Sequence, residues 1–333
     1  MARLKIDSPW QLTEVLPSCR GPEEAMKENA EIEKGNRLDQ VLDRVRCLLR
    51  EAGIESWSYE AWALLEWKLG IRRGDYYMDP GRLLSEDQEG ILLQAARERT
   101  GRKPLQYMMG ECEFMGYSFL VDERVLIPRQ DTELLVETAL DRIRPCCKSK
   151  RQVGVLDLCT GSGAIGISVK LMCPEAGVTV SDISPHALAV ARENWERLRK
   201  ESGIISETRD GSDSGFRIVE SDLFDRIPEK FDFILSNPPY IPTEEIERLM
   251  PEVRDYEPRL ALDGESDGLK FYQQICSQAG QHLFKGGCLI MEIGADQGEA
   301  VSRMMTHQGF EQVEVRKDLA GLDRLVTGYY GID

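Results

Sequence analysis

Asn237-Pro238-Pro239-Tyr240 combines groups that can grip a planar amine. Proline carries no backbone N–H and holds φ near one value, so this stretch is stiff and its carbonyls are free to accept. The Asn237 side chain adds an acceptor oxygen, and Tyr240 adds a flat ring. Such a set suits an NH2 group held through both hydrogens with an aromatic face over its plane. A plain strand-ending turn uses the same residue types. The tetrapeptide therefore needs partners elsewhere in the chain to mean more.

Those partners are acidic and glycine-rich. The apolar run Val155-Leu156-Asp157-Leu158 leads into Cys159-Thr160-Gly161-Ser162-Gly163 and then a helix-like stretch from Ala164. Glycines at such a turn let the backbone approach a ligand, and the helix start offers free N–H groups. Asp182 follows at the end of the next apolar run, where a carboxylate can accept from both hydroxyls of a ribose. After a third run, Asp222 can accept from the amino group of an adenine while Leu223 offers an apolar face. The string Gly161-Ser162-Gly163-Ala164-Ile165-Gly166 also fits a dinucleotide fingerprint, so the glycines leave two ligands open, a dinucleotide or S-adenosylmethionine. Asp157 separates them on charge. A carboxylate there repels a pyrophosphate and attracts the cationic methionine end of S-adenosylmethionine.

The elements that must position these groups follow from periodicity. Strand-like segments at 153–158, 178–181, 218–220, 231–236, 287–293, 313–315 and 325–329 alternate with helical stretches at 164–172 and 185–200. Pro185 suits a helix's first turn. Such alternation implies an α/β fold, a doubly wound and mostly parallel seven-stranded sheet with helices on both faces. Upstream, Leu38, Val41, Leu42, Val45, Leu48 and Leu49 recur at helical spacing, with Gly53 placed to end the helix. A second helix is expected over 59–69, and a third after the capping-box spacing of Ser85 and Gln88. Alternation over 112–127 predicts a β-hairpin stopped by Pro128, and Asp131 is placed to cap a helix over 132–143. The expected organisation is a polar extension (1–35), a small all-α domain (36–110), a hairpin linker (111–130) and an α/β domain (131–333). Residues 207–215 read as a polar surface insertion.

Bulk properties narrow the classes. The chain of 333 residues is 41% hydrophobic and 30% charged, in keeping with a globular protein. No apolar run approaches a membrane span and no signal-like stretch opens the chain, so no membrane association and a cytoplasmic location are expected. Nine cysteines without C-x-x-C spacing, and three scattered histidines, predict reduced thiols and no metal site. A net charge of −16 argues against broad binding to a phosphate backbone.

The glycine loop, the acidic ribose position and Asn-Pro-Pro-Tyr after a strand together resemble class I amino-methyltransferases. More specifically, residues 36–331 resemble the protein-(glutamine-N5) methyltransferases that modify peptide chain release factors. The resemblance is carried also by Arg102-Lys103-Pro104-Leu105-Gln106-Tyr107, Pro128-Arg129, Glu133 to Glu137, Tyr256 to Leu262, Asp267-Gly268-Leu269 and Glu292-Ile293-Gly294. It implies S-adenosylmethionine as cofactor and a release-factor glutamine in a Gly-Gly-Gln motif as methyl acceptor. Cys159 to Gly163 would line the cofactor loop, Asp182 would hold the ribose, Leu223 would border the adenine, and Asn237 to Tyr240 would hold the glutamine. Asn237, Pro238 and Tyr240 are the expected catalytic positions, in a protein expected to act as a monomer. Two departures stand out: Cys159 where the family often has glycine, and Leu223 where some members have an aromatic residue. Ribosomal-protein glutamine methylation and N6-adenine methylation of nucleic acid are the alternative activities. A nicotinamide-dependent oxidoreductase is disfavoured by Asp157 and by the lack of an evident acid–base group, and a non-catalytic binding module by the intact Asn237.

Overall fold

A computed structural model describes residues 36–149, 153–203 and 215–332. The expectations for the 1–35 extension and for most of the insertion near 207–215 lie outside the described residues. The chain divides into two compact units, the first ending at Gly101 and the second beginning at Arg102.

In the first unit, strands β1 (Asn36–Arg37) and β2 (Leu83–Leu84) pair, and helices α1 (Leu38–Glu51), α2 (Trp57–Leu69), α3 (Arg73–Met78) and α4 (Glu86–Thr100) make up the rest. The helical-period residues Leu38, Val41, Leu42, Val45 and Leu49 are buried, the outcome expected of an amphipathic stripe. The capping box forms as its spacing predicts: Gln88 N donates to Ser85 Oγ at 3.2 Å and Ser85 N donates to Gln88 Oε1 at 3.1 Å. Inside this apolar unit, Arg99 makes a two-point ion pair with Glu60 at 2.6 and 3.0 Å, and Ser56 Oγ donates to the same carboxylate at 2.7 Å. A buried charge tolerates this position only because its partner neutralises it.

The second unit opens with α5 (Leu105–Met109) and the hairpin β3 (Glu111–Phe114) and β4 (Tyr117–Leu120). The hairpin is shorter than the alternation suggested. Beyond Leu120 the apolar residues Val121, Val125 and Ile127 leave the ladder and pack with Tyr107, Ala187 and Val190. A 3₁₀ turn (Gln130–Thr132) then leads into α6 (Glu133–Lys148). The expectation that Asp131 caps this helix is corrected. Asp131 instead pairs with Arg324 at 3.2 Å, and the chain enters α6 through the 3₁₀ turn without a side-chain cap.

Strands β5 (Gly154–Leu158), β6 (Gly177–Asp182), β7 (Phe216–Glu220), β8 (Phe231–Ser236), β9 (Leu283–Glu292), β10 (Phe310–Lys317) and β11 (Asp323–Tyr330) form one sheet in the order β10-β11-β9-β8-β5-β6-β7. Only β11 runs against its neighbours. The sheet is the expected doubly wound, mostly parallel one. Helices α7 (Ala164–Met172), α8 (Pro185–Glu201), α11 (Lys270–His282) and α12 (Gly298–His307) flank it, with one-turn helices α9 (Thr243–Ile246) and α10 (Pro251–Arg254) after β8. Two apolar clusters fill the layers, one around Val155, Ile167, Val180 and Trp195, the other around Leu156, Ile234, Tyr272 and Met291. Adjacent residues of β5 thus serve opposite clusters, the period-2 alternation of a strand buried on both faces. From β5 the chain moves outward through β6 and β7, then returns to place β8 on the other side of β5. That reversal opens a crevice at the strand C-termini.

Candidate active site

The crevice is a cavity of about 550 Å³, a size suited to a cofactor-sized molecule. The segments leaving β5, β6, β7 and β8 all contribute to its wall.

The loop after β5 is fixed from below. Asp157 is fully buried in the strand, and its Oδ2 accepts from Thr160 Oγ1 at 2.5 Å and from the Gly166 amide at 2.9 Å. Burial pushes its carboxyl up to about 7, the two hydrogen bonds opposing that rise. Its other oxygen, Oδ1, is buried with no hydrogen-bond partner among the described residues. Asp157 is therefore not on the cavity wall, as the charge argument from sequence had placed it. It is the post on which the loop stands.

From the side, Asp182 Oδ2 accepts from the Gly161 amide and Oδ1 from the Ser184 amide, both at 2.9 Å. Burial raises its carboxyl above the usual range while those amides pull it down. Asn194 of α8 completes the frame, its Nδ2 donating to the carbonyls of Ser162 at 2.9 Å and Leu120 at 3.0 Å. Within the loop, Cys159 has φ of +59° and Gly163 +84°. An added Cβ at Gly163 would lie 2.6 Å from Ile167 Cδ1, so glycine is required there for conformation and for space.

Opposite the loop, β8 ends in Asn237-Pro238-Pro239-Tyr240. Asn237 is half-buried on the cavity wall and Pro239 lines it too, whereas Pro238 and Tyr240 do not. Tyr240 packs against the cluster containing Leu156 and Tyr272, and burial pushes its phenol up to about 12. A strap made by residues 258–268 holds this segment. Ile241 N donates to Leu262 O at 3.0 Å, Gly264 N to Ile241 O at 2.8 Å, and Thr243 N to Glu265 O at 3.0 Å. Gln297 Nε2 donates to Tyr240 O at 3.0 Å. Gly268, at φ +71°, leaves room for that carbonyl; a Cβ would lie 2.3 Å from Tyr240 O.

Of the residues expected at the site, Cys159, Thr160, Gly161, Ser162, Asp182, Asp222, Leu223, Asn237 and Pro239 come together on one cavity, while Asp157, Gly163, Pro238 and Tyr240 support it from outside the wall. Both sequence departures sit in left-handed backbone, Cys159 at φ +59° and Leu223 at +42°. Glycine is favoured at such a position because it has no Cβ to strain. Sequence reasoning did not assign Arg129, Thr132, the strap or Phe271, all of which line the same cavity. Arg129 is anchored to the Glu257 carboxylate by contacts of 2.6 and 2.7 Å. Arg129 and Tyr256 to Leu262 were visible only as shared family residues, because no local pattern says that they meet.

The donor set fits S-adenosylmethionine. Below the loop is a buried acid with an unpartnered oxygen, Asp182 lines the cavity at the end of β6, and the apolar Leu223 lies beside Asp222. The described residues of the second unit contain no helix long and apolar enough to cross a membrane, nor do those of the first.

Comparison with known proteins agrees with this architecture. A family model described as the methyltransferase small domain matches residues 130–252, and one described as the PrmC N-terminal domain matches residues 40–110. The chain is 39% identical over 297 residues to the release factor glutamine methyltransferase of Geobacter sulfurreducens, covering 88% of this chain and 97% of that protein. It is 42% identical over 295 residues to that of Clostridium acetobutylicum, covering 89% and 99%. Among solved structures, the hMettl16 catalytic domain in complex with MAT2A 3'UTR hairpin 6 matches with a TM-score of 0.50 at 13% identity, over 82% of this chain and 93% of that one. That last likeness is one of fold. The extended identity to the two bacterial proteins establishes that the chain belongs to the release factor glutamine methyltransferase family.

Proposed function

We propose that this enzyme transfers a methyl group from S-adenosylmethionine to the side-chain amide nitrogen of the glutamine in the Gly-Gly-Gln motif of peptide chain release factors. The observation that carries the proposal is the position of Asn237. It stands on the cavity wall at the end of β8, across the topological switch from the glycine loop of β5.

S-adenosylmethionine, when bound, supplies an electrophilic methyl group on a sulfonium. The loop Cys159 to Gly163 and Asp182 would hold it, with Asp222 and Leu223 at its adenine. The unpartnered Oδ1 of Asp157 adds negative potential under the loop, which favours a cationic ligand over a pyrophosphate.

A glutamine amide nitrogen is a weak nucleophile because its lone pair is delocalised into the carbonyl. Asn237 Oδ1, on the cavity wall, accepts one of its hydrogens and the carbonyl of the adjacent Pro238, which does not itself line that wall, accepts the other as the substrate seats, so that the nitrogen is held in place. As positive charge grows on that nitrogen in the transition state, both hydrogen bonds strengthen, so the clamp stabilises the transition state more than the ground state. Alignment for in-line displacement supplies much of the remaining rate. Pro239 keeps the clamp stiff, and Tyr240 anchors it through its ring and its carbonyl. The proton leaves to water afterwards.

The helical unit docks the release factor in this reading, and the enzyme works as a cytoplasmic monomer. Methylation of a nucleic-acid amine is the competing activity, since the clamp alone would suit an exocyclic amine. The net charge of −16 weighs against it. Incubation of the purified chain with labelled S-adenosylmethionine and either a release factor or duplex DNA tests both readings. Label on the release-factor glutamine, located by peptide mass spectrometry, is expected; label on DNA alone overturns the proposal.

A further inference from the structure

A carboxamide can hold an amine only if it offers its oxygen, and nothing in Asn237 itself decides which end faces the cavity. The surroundings do. Asn237 Nδ2 donates to Thr132 Oγ1 at 3.3 Å, and the Glu292 carboxyl lies beside Thr132, whose hydroxyl favours its charged form. Thr132 is 4% exposed and Glu292 1%, so water does not compete for these contacts. Sheet register brings the two ends together: Glu292 closes β9 one residue after Met291, which pairs with Ser236 just before Asn237.

A hydroxyl has one proton. When that proton goes to a carboxylate, only lone pairs remain for Asn237. The amide must then give its NH2 to Thr132 and leave Oδ1 free for the substrate. Glu292 is held for this purpose. Its strand end is pinned by the Tyr272 hydroxyl, which donates to the Glu292 carbonyl at 3.1 Å. Its Oε2 is buried with no hydrogen-bond partner among the described residues.

We propose that Thr132 and Glu292 are positioning residues that set the amide orientation of Asn237 and so arm the amine clamp. The inference rests on the methyl-transfer reading above and adds the device that gives the clamp its polarity. A hydrogen-bond chain ending in an anion also polarises Asn237 Oδ1, which strengthens it as an acceptor.

The chain has a built-in pH response. Burial pushes the Glu292 carboxyl up to about 7; Thr132, Arg324 and Arg129 oppose the rise and Asp131 adds to it. Tyr240 and Tyr272 face it as well. Once protonated, Glu292 donates to Thr132, whose own proton is then free to point at Asn237 Oδ1. The amide turns and shows NH2 to the cavity. Turnover is therefore carried by the ionised form and rises with pH through that region.

Two readouts test the relay. In steady-state assays on a release factor, Thr132→Val should lower kcat roughly 10- to 100-fold, the range seen when a group that orients a reacting ligand is lost. The KM for S-adenosylmethionine should change little, and Thr132→Ser should recover most of the rate. Glu292→Gln should lower kcat and remove the acid limb of its pH profile. The second readout needs no substrate. The Asn237 side-chain NH2 signals in ¹⁵N-labelled protein, assigned by their loss in Asn237→Asp, should titrate with a midpoint near pH 7 in the wild type. They should not titrate in Glu292→Gln, and should shift in Thr132→Val.

Wild-type kcat in a folded Thr132→Val protein, or NH2 signals indifferent to pH and to Thr132, overturns the relay. A wild-type chain that leaves release-factor glutamine unmethylated overturns the substrate reading instead, and the NH2 signals then judge the relay alone. If Glu292→Gln does not fold, the Thr132 pair of variants decides.

Discussion

The two walls of the cavity are built on opposite principles. The loop after β5 gains its shape from backbone freedom, with Cys159, Gly161 and Gly163 all in left-handed conformation. Two carboxylates hold it from outside, Asp157 from below and Asp182 from the side. The segment after β8 gains its shape from rigidity, through two prolines whose neighbours are tied by the strap and by Gln297. In the proposed mechanism the first wall wraps a flexible, charged cofactor, which suits amides at a helix start supported by acids. In the same mechanism the second presents its acceptors at a fixed angle, which suits a strand end that cannot bend. Changes to the first wall should therefore appear in cofactor affinity and stability, and changes to the second in turnover.

The largest expected break is Asn237→Ala, which should lower kcat by roughly 10²-fold or more, as for loss of one preorganised polar contact. Cofactor binding measured by calorimetry should move far less. An equal loss in both would erase the contrast between the walls.

Gly268→Ala attacks the second wall indirectly. The new methyl group would meet Tyr240 O at 2.3 Å in a backbone at φ +71°. Strain and overpacking together should cost about 2–4 kcal/mol in urea unfolding. The variant's kcat should fall while the KM for cofactor is retained.

For the first wall, Asp157→Asn separates stability from binding. The folded carboxyl sits at about 7, above its unfolded value, so its favourable contribution is present in full at low pH and is lost as pH rises through 7. The Asn variant lacks that loss. Its unfolding midpoint should match the wild type near pH 4 and exceed it near pH 8, by roughly 1–3 kcal/mol after allowance for relaxation around a buried group. S-adenosylmethionine should bind it more weakly, because the negative potential under the loop is gone. Wild-type and variant stability curves that run parallel across this range would remove the link between Asp157 ionisation and the loop.

The smallest effect belongs to Cys159→Gly. Relief of left-handed strain should stabilise by about 1 kcal/mol, partly offset by the greater freedom of glycine in the unfolded chain. A thermal melt should rise slightly, with kcat unchanged.

Much of this was legible in the chain itself. Apolar runs and helical periodicity announced all seven strands of the sheet and the helices after its first two strands, because those patterns record which residues are buried; the flanking helices Lys270–His282 and Gly298–His307 were not read from the sequence. Pro185 and the pair Ser85 and Gln88 announced helix starts, because the first N–H groups of a helix lack intrahelical acceptors: proline has no N–H to satisfy, and the capping pair supplies acceptors. Asn237 was conspicuous because a polar amide followed by two prolines ends an otherwise apolar strand. Asp131 misled for the same local reason: an acid before a helix reads as a cap, and only the fold brings Arg324 to it. Asp157 misled in a different way. It was read as a cavity-wall charge, but its position beneath the loop depends on how α7 packs back on β5.

The sequence by itself determined the kind of element at each position and the chemical groups available at each strand end, since both follow from side chains and their nearest neighbours along the chain. Tertiary structure alone decided which of those groups meet. Thr132 reaches Asn237 across 105 residues, and Glu292 joins them because β9 lies beside β8 in the sheet. Strand order is set by the burial of whole faces, and no local pattern carries it. The amine clamp was written in four adjacent residues; its polarity was written in the fold.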